Sequence, residues 1–362
     1  MACGSAANSY SPVMTDFPTA LPTPRTPDPA TAPPLRWGIV APGGIAGNFV
    51  EIALSHANQQ VVAVGSRSAE RAAAFGARFG IEHTYGSYDE VMADPQVQAV
   101  YVASPHSRHF EQALAAIAGG KHVLVEKAFT QNAAQAERLV GAAADAGVTL
   151  MEAMWPRFSP STDVIRQLLA DGVLGDIHTV IADHGQWFPS DPGNRLFDPD
   201  QAGGALLDLG IYPISFASFV LGAPDQITAV GTVGTSAGTE VDEQESVILR
   251  KGRAHALVHA TLAALGPNTA IIAGSVARVE IPGRFYSPQP ITVIHRNERD
   301  RLSFDGGPLQ GSAGFAYEIA HFAQLVADGA AESALLPLSE SVTIMRTLDE
   351  IRRQIGLRYP GE

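Results

Sequence analysis

Two short stretches hold the residues best suited to chemistry. The first is Val123-Leu124-Val125-Glu126-Lys127-Ala128, an apolar run ending in adjacent acid and base. If that run is a strand of a parallel sheet, Lys127 stands at the carboxyl edge, where open α/β sheets bind ligands. Its long stem would reach a cofactor and a substrate hydroxyl alike. The second is Gly203-Gly204-Ala205-Leu206-Leu207-Asp208-Leu209-Gly210-Ile211-Tyr212. On a helix, Asp208 and Tyr212 share one face. A tyrosine can exchange a proton with a carbonyl–alcohol pair if a nearby cation lowers its high reference pKa. Lys127 is available as that cation, with Asp208 binding a substrate hydroxyl or orienting the lysine. The same two residues also suit a plainer role, Tyr212 as a half-buried core aromatic and Asp208 as an acid favoured by the helix dipole.

The flanking pattern predicts how these stretches are held. Residues 35–40, 61–64, 99–103, 122–125 and 148–151 read as buried strands, and 45–57, 69–79, 108–118 and 133–146 as helices between them. Such alternation predicts a parallel sheet covered on both faces. After Met151 the texture changes. Helices are expected over 163–170, 205–221, 314–327 and 339–355. Strand-like runs cover 227–235, 245–249, 256–262, 269–273, 277–281 and 290–295, several alternating as in an antiparallel sheet with one open face. The expected organisation is α/β: residues 35–150 as a Rossmann dinucleotide-binding domain and 151–362 as a substrate-binding and dimerisation domain. Residues 1–34 hold eight prolines and are expected to be a disordered tail, with Met14 a candidate initiator. They show no export signal.

A turn between the first strand and helix, Ala41-Pro42-Gly43-Gly44-Ile45-Ala46, fits the frame Gly-x-Gly-x-x-Gly/Ala with Ala41 in place of the first glycine. Gly43 would admit a pyrophosphate and Ala46 a close helix–strand contact; a tight turn without a ligand has the same composition. The second strand ends in Ser66-Arg67-Ser68 with Arg71 one turn on. NAD sites carry a carboxylate here, whereas an arginine fork suits a ribose phosphate. The cofactor inferred is NADP(H). Ser104, Pro105, His106 and His109 follow another strand and are placed at the cleft, while His184, His255 and His259 read as ordinary sheet residues.

The net charge of −13 speaks against nucleic acid and anionic membranes as partners. No window approaches ~20 uninterrupted apolar residues, against a membrane span. One cysteine, Cys3, excludes a disulfide framework and fits the cytoplasm. No residue set has metal-ligand spacing, so no metal is expected. No Gly-x-Ser-x-Gly elbow occurs, against acyl transfer.

From about Leu35 to its end, the chain resembles the glucose–fructose oxidoreductase / inositol dehydrogenase / rhizopine catabolism superfamily. The resemblance lies in the Gly43 turn, Glu126-Lys127 and Asp208-x-Gly210-x-Tyr212. Within the superfamily, Met151-Glu152-Ala153-Met154-Trp155-Pro156-Arg157-Phe158, Tyr212, Ser66-Arg67 and His106-x-x-His109 are similar to the dimeric dihydrodiol and D-xylose dehydrogenases. The superfamily usually has proline at position 128, here alanine. The resemblance implies hydride transfer at nicotinamide C4 on a sugar or vicinal diol, with Lys127 and Tyr212 as the catalytic pair and Asp208 in support. It also implies Trp155 and Arg157 bordering the cleft and a homodimer, or a larger homo-oligomer, through the second sheet. The rival readings are an NADPH-dependent reductase of a nucleotide-linked keto-deoxysugar and a non-catalytic NADP-sensing regulator.

Overall fold

The computed structural model describes residues 17–235 and 238–362. Strands β1 (Arg36–Val40), β2 (Gln60–Gly65), β3 (His83–Tyr85), β4 (Ala99–Val102), β5 (His122–Glu126) and β6 (Leu150–Ala153) form one parallel sheet. Their order is β3-β2-β1-β4-β5-β6, the doubly wound Rossmann arrangement. Helices α1 (Gly44–His56), α2 (Ala69–Phe79), α3 (Tyr88–Ala93), α4 (His106–Ala118) and α5 (Ala133–Ala146) connect them. The strands are nearly all apolar because helices cover both faces: every residue of β4 and of β6 is buried. Ser68 caps α2 by accepting from Arg71 N at 3.3 Å, and Gly80 ends it in the left-handed region.

After α6 (Pro160–Ala170), strands β7 (Ile177–Gly185), β8 (Gln226–Val233), β9 (Asp242–Lys251), β10 (Ala254–Thr261), β11 (Ala270–Gly274), β12 (Ala277–Ile281), β13 (Ile291–His295) and β14 (Arg301–Phe304) build a second sheet in the order β14-β13-β12-β11-β7-β10-β9-β8. Its neighbours run antiparallel except β7 and β10. A π-helical turn, Leu206–Gly210, leads into α7 (Ile211–Leu221), and α8 (Phe315–Ala327) and α9 (Leu338–Ile355) close the chain. Residues 199–221 are long and apolar enough to cross a membrane, yet two-thirds of that stretch is buried inside the fold. It is the core helix of the second half.

Three elements, β3, α3 and β14, fall outside the sequence reading, and a fourth, β7, enters it only as the strand-like surroundings of His184. The consequential one is β7, the strand at the middle of the second sheet. Its His178, Thr179, Asp183 and His184 dilute the apolar signal.

Residues 17–34 do not form the disordered tail expected of them. Phe17 and Leu21 pack on the second apolar core, and Arg25 forms a bidentate pair with Asp163 of α6. Pro29–Thr31 makes a short 3-10 turn capped by Asp28, and the Asn58 and Gln59 amides donate to Ala32 and Pro33 carbonyls. Proline lowers the chain entropy lost on ordering, so few contacts suffice to fix this arm. Met14 and the rest of residues 1–16 lie outside the described residues.

Candidate active site

Between the carboxyl edge of the first sheet and the inner face of the second lies a cleft of about 670 Å³. Its near end is the first βα turn. Ala41 takes the left-handed conformation (φ 64°), which is why glycine is the usual residue there. Gly43 N donates back to Ala41 O at 2.8 Å and closes the turn. Gly43 then caps α1 without a side-chain partner, and a Cβ on Gly44 would meet nothing within 4 Å. A helix N-terminus with free amides and open approach suits an anion. Pro42, Ile45, Ser66, Arg67, Arg71 and Tyr88 continue the wall. Among the described residues, no hydrogen bond or ion pair engages the Arg67 or Arg71 guanidinium. Ala46 is fully buried against the strand, in the packing role expected of it rather than in the lining.

At the far end, Lys127 Nζ donates to Asp208 O (2.8 Å) and Asp208 Oδ1 (3.3 Å), and stands 5.0 Å from the centre of the Tyr212 ring. The Lys127–Ala128 peptide is cis. Arg195 Nη2 donates to Asp208 Oδ1 at 3.1 Å. Burial opposes the Asp208 carboxylate, but Lys127, Arg195 and His106 outweigh it and hold its pKa far below the usual range. Lys127 is held above its ordinary value, because Asp208, Tyr212 and Glu126 together overcome its burial. The Tyr212 phenol is pushed up to about 12 by burial, partly offset by Lys127. At neutral pH the site therefore presents an ammonium and an intact phenol, both proton donors. Trp155 Nε1 donates to the phenol oxygen at 3.4 Å and stacks on Phe315.

Neutral imidazoles surround this centre. His106 Nδ1 donates to Ala202 O at 2.9 Å, which leaves Nε2 bare and 4.0 Å from Asp208. His184 Nδ1 donates to Leu209 O at 3.2 Å, and its Nε2 accepts from Gln186 at 2.8 Å. Burial holds both rings near pKa 3, in keeping with the tautomers these partners require. His184 stacks on Tyr286 (4.2 Å) and meets Tyr212 edge-on. Glu126 lines the cleft, accepting from the Tyr101 hydroxyl and from Lys127 N, and burial raises its pKa.

Lys127, Asp208, Tyr212, Ala41, Gly43, Gly44, Ile45, Ser66, Arg67, Arg71, Ser104, Pro105, His106 and Glu126 all line this one cleft. Four other expected residues do not: Ala46, already described, and Arg157, His109 and Trp155. Arg157 is buried behind Tyr212, forked onto Glu340 at 2.9 and 3.0 Å, so it is committed to the α9 contact and corrects the expectation of a cleft residue. His109 sits below the floor with ring nitrogens 2.8 Å from the Ala128 and Ser104 carbonyls, tying the lysine loop to the loop after β4. Trp155 is not part of the lining and reaches the site through its bond to the Tyr212 phenol oxygen. Conversely, Tyr88, His184, Gln186, Phe188, Arg195 and Tyr286 line the cleft without having been singled out for it. His184, set aside as an ordinary sheet residue, ends a strand whose two-residue period turns both it and Gln186 inward.

The family model for the oxidoreductase family with an NAD-binding Rossmann fold matches residues 35–154, and that for the Gfo/Idh/MocA C-terminal domain matches 163–280. The mouse trans-1,2-dihydrobenzene-1,2-diol dehydrogenase is 37% identical over 338 residues, covering 91% of this chain and 99% of that protein. The chain belongs to the Gfo/Idh/MocA oxidoreductase family. The human dihydrodiol dehydrogenase is 35% identical over the same share of both chains. A 3-ketoreductase from Actinomadura kijaniata, solved with NADP and TDP-benzene, matches with TM-score 0.79 and 28% identity over 89% of this chain and 98% of that one. An aldose–aldose oxidoreductase from Caulobacter crescentus complexed with glycerol matches with TM-score 0.80 and 25% identity over 89% and 97%.

Proposed function

We propose that this Gfo/Idh/MocA member is an NADP-dependent dehydrogenase of a sugar or vicinal diol, with residues 35–150 holding the cofactor and 151–362 the substrate. The observation that carries the reading is the meeting of Lys127, Asp208 and Tyr212 at one end of a cleft whose other end offers two unengaged arginines. NADP would lie with its pyrophosphate at the Gly43 turn and its ribose phosphate at Arg67 and Arg71; when bound, it supplies hydride acceptance and donation at C4. Lys127 and Tyr212 hold the substrate oxygen: in reduction one of them donates its proton to that oxygen, and in oxidation the group that has first lost a proton to solvent takes the hydroxyl proton, while Asp208 fixes the lysine. His184, Gln186 and Tyr286 form the wall against the substrate carbons. The dihydrodiol dehydrogenases and the aldose–aldose oxidoreductase support this choice of substrate class. The test is NADP+ reduction, followed by absorbance, with a panel of aldoses and cyclic diols. Turnover of one or more is expected. Silence across the panel with tight NADPH binding would favour a sensor, and activity only with nucleotide-linked keto-sugars the reductase.

Arg67→Asp is expected to shift preference from NADP toward NAD, since a phosphate fork is replaced by an acceptor for a ribose hydroxyl. Cofactor titrations giving an unchanged NADP/NAD ratio would contradict the assignment.

The outer face of the second sheet carries Ile248, Leu257 and Ile181 in one register row, all exposed, with Val230 beside them. We assign this face to a second copy of the chain, an isologous pairing in which the same row serves both partners. Leu257→Glu with Ile181→Glu is expected to reduce the mass in solution from twice 38.0 kDa to 38.0 kDa. A monomeric parent would refute the dimer. The single cysteine fits a cytoplasmic location for this enzyme.

A further inference from the structure

Behind the segment that carries Asp208 lie two acids that the reaction does not use. Asp242 opens β9 and is fully buried; its Oδ2 accepts from Leu206 N at 2.5 Å, at the first residue of the π-helical turn. Glu245, three residues further and past a register shift in the β8–β9 pairing, is buried as well, and neither of its carboxyl oxygens meets an N–H or hydroxyl donor among the described residues. Both press on the backbone ahead of and within that turn. A Cβ at Gly204 would fall 2.0 Å from Asp242 Oδ1, and one at Gly210 would fall 2.5 Å from Glu245 Oε1. Only glycine allows this approach at either position. Gly204 also has φ 111°.

Two carboxylates at such a place cannot both be ionised in a dry interior. Asp242 Oδ1, like both Glu245 oxygens, meets no N–H or hydroxyl donor among the described residues, and a proton carried by Glu245 and shared with Asp242 would satisfy both groups. Burial drives Glu245 well above the usual carboxyl range, and the neighbouring Asp242 raises it further; Asp242 rises only to about 6, relieved by the Leu206 amide and by the contact with Glu245. One proton shared by the pair through neutral pH is therefore the stable state. The groups facing the pair from the packed elements are few. Arg352 of α9 is the nearby cation, already held by Asp349 and Glu362. Tyr359, beyond α9, donates its hydroxyl to Gly203 O at 2.7 Å and stays protonated in its burial. Leu206 N is the donor from the helix side.

We propose that Asp242 and Glu245 form a single-proton acid–carboxylate pair that fixes the Gly204–Gly210 backbone, and through it the placement of Asp208 and Tyr212. They are positioning residues, since neither lines the cleft. The proposal rests on Asp208 and Tyr212 being the site, but its first readout does not. A carboxyl whose folded pKa is raised gives up stability as pH rises from its unfolded value through its folded one. Wild-type thermal stability should therefore fall toward alkaline pH more steeply than that of Glu245→Gln, whose amide keeps a donor for Asp242 and cannot ionise. The alkaline fall of kcat should flatten in the same variant, with kcat at neutral pH close to wild type. Glu245→Leu leaves Asp242 Oδ1 without the shared proton while the Leu206 amide still donates to Oδ2, and is expected to lose about a hundredfold in kcat through misplacement of the site, with NADPH affinity unchanged. Identical alkaline stability and kcat curves for wild type and Glu245→Gln would overturn the pair. So would wild-type kcat in Glu245→Leu; if that variant fails to fold, the Glu245→Gln curves decide. An inactive parent would remove the catalytic reading and still leave the stability curves to judge the pair.

Discussion

Lys127→Met is expected to abolish turnover while NADPH still binds. Methionine keeps most of the stem and removes the ammonium, the one group that touches both Asp208 and the Tyr212 ring. Tyr212→Phe should act in the same direction, since it removes only the hydroxyl. Each loss is set by a proton-transfer contribution of about 10²–10⁴-fold in rate. The two should not multiply, because residues acting as one unit are strongly non-additive. Steady-state kcat and a fluorescence titration of NADPH separate chemistry from cofactor binding. Near-normal kinetics in both variants would remove the pair from the reaction.

Asp208→Asn is expected to harm stability as well as activity. The carboxylate is one-tenth exposed and neutralises Lys127, whose side chain is 13% exposed, with Arg195 reaching in from the cleft mouth. Breaking a buried pair from one side costs about 3–5 kcal/mol, because the remaining charge is left without a partner; the half-exposed Arg195 adds little to that figure. The pKa of Asp208 is depressed in the folded state. Its contribution is thus full above the unfolded value of about 4 and is lost as pH falls below it toward the folded value. Urea unfolding of wild type and variant should differ most at neutral pH and converge in acid. Equal stabilities at pH 7 would contradict the electrostatic role given to Asp208.

The division of labour in this molecule was legible wherever function forces a local pattern. Parallel strands buried on both faces must be apolar throughout, so β1, β2, β4 and β5 stand out, and Lys127 with them. Asp208 lies in the π-helical turn that runs directly into α7 with Tyr212, so their four-residue spacing is a local signal that both line the cleft. The rest depends on contacts between distant segments. His184 looks like any histidine in a strand until β7 is known to lie at the sheet centre with its end at the cleft. Arg195 comes from an irregular polar loop, and Tyr286 from the connection between β12 and β13; no period marks either. Arg157 errs in the other direction. It neighbours Trp155 in sequence, but Glu340, far along the chain, draws its guanidinium away from the cleft. The proline-rich arm is ordered for a similar reason, since Asp163 supplies Arg25 with a partner that composition cannot reveal.

The family shared with dihydrodiol dehydrogenases and sugar oxidoreductases leaves the substrate to the cleft walls, where His184, Gln186, Phe188 and Tyr286 present rings and one amide, and where the cations Lys127 and Arg195 are both paired with Asp208. That surface suits a neutral polyol or diol more than a nucleotide-linked sugar.

A crystal structure of the enzyme with NADP+ bound tests the arrangement most directly. The expected result is a nicotinamide ring lying between Lys127, His184 and Tyr212, with the ribose phosphate in the grip of Arg67 and Arg71. A nicotinamide bound away from the Lys127 amine, or a phosphate that meets neither arginine, would contradict it.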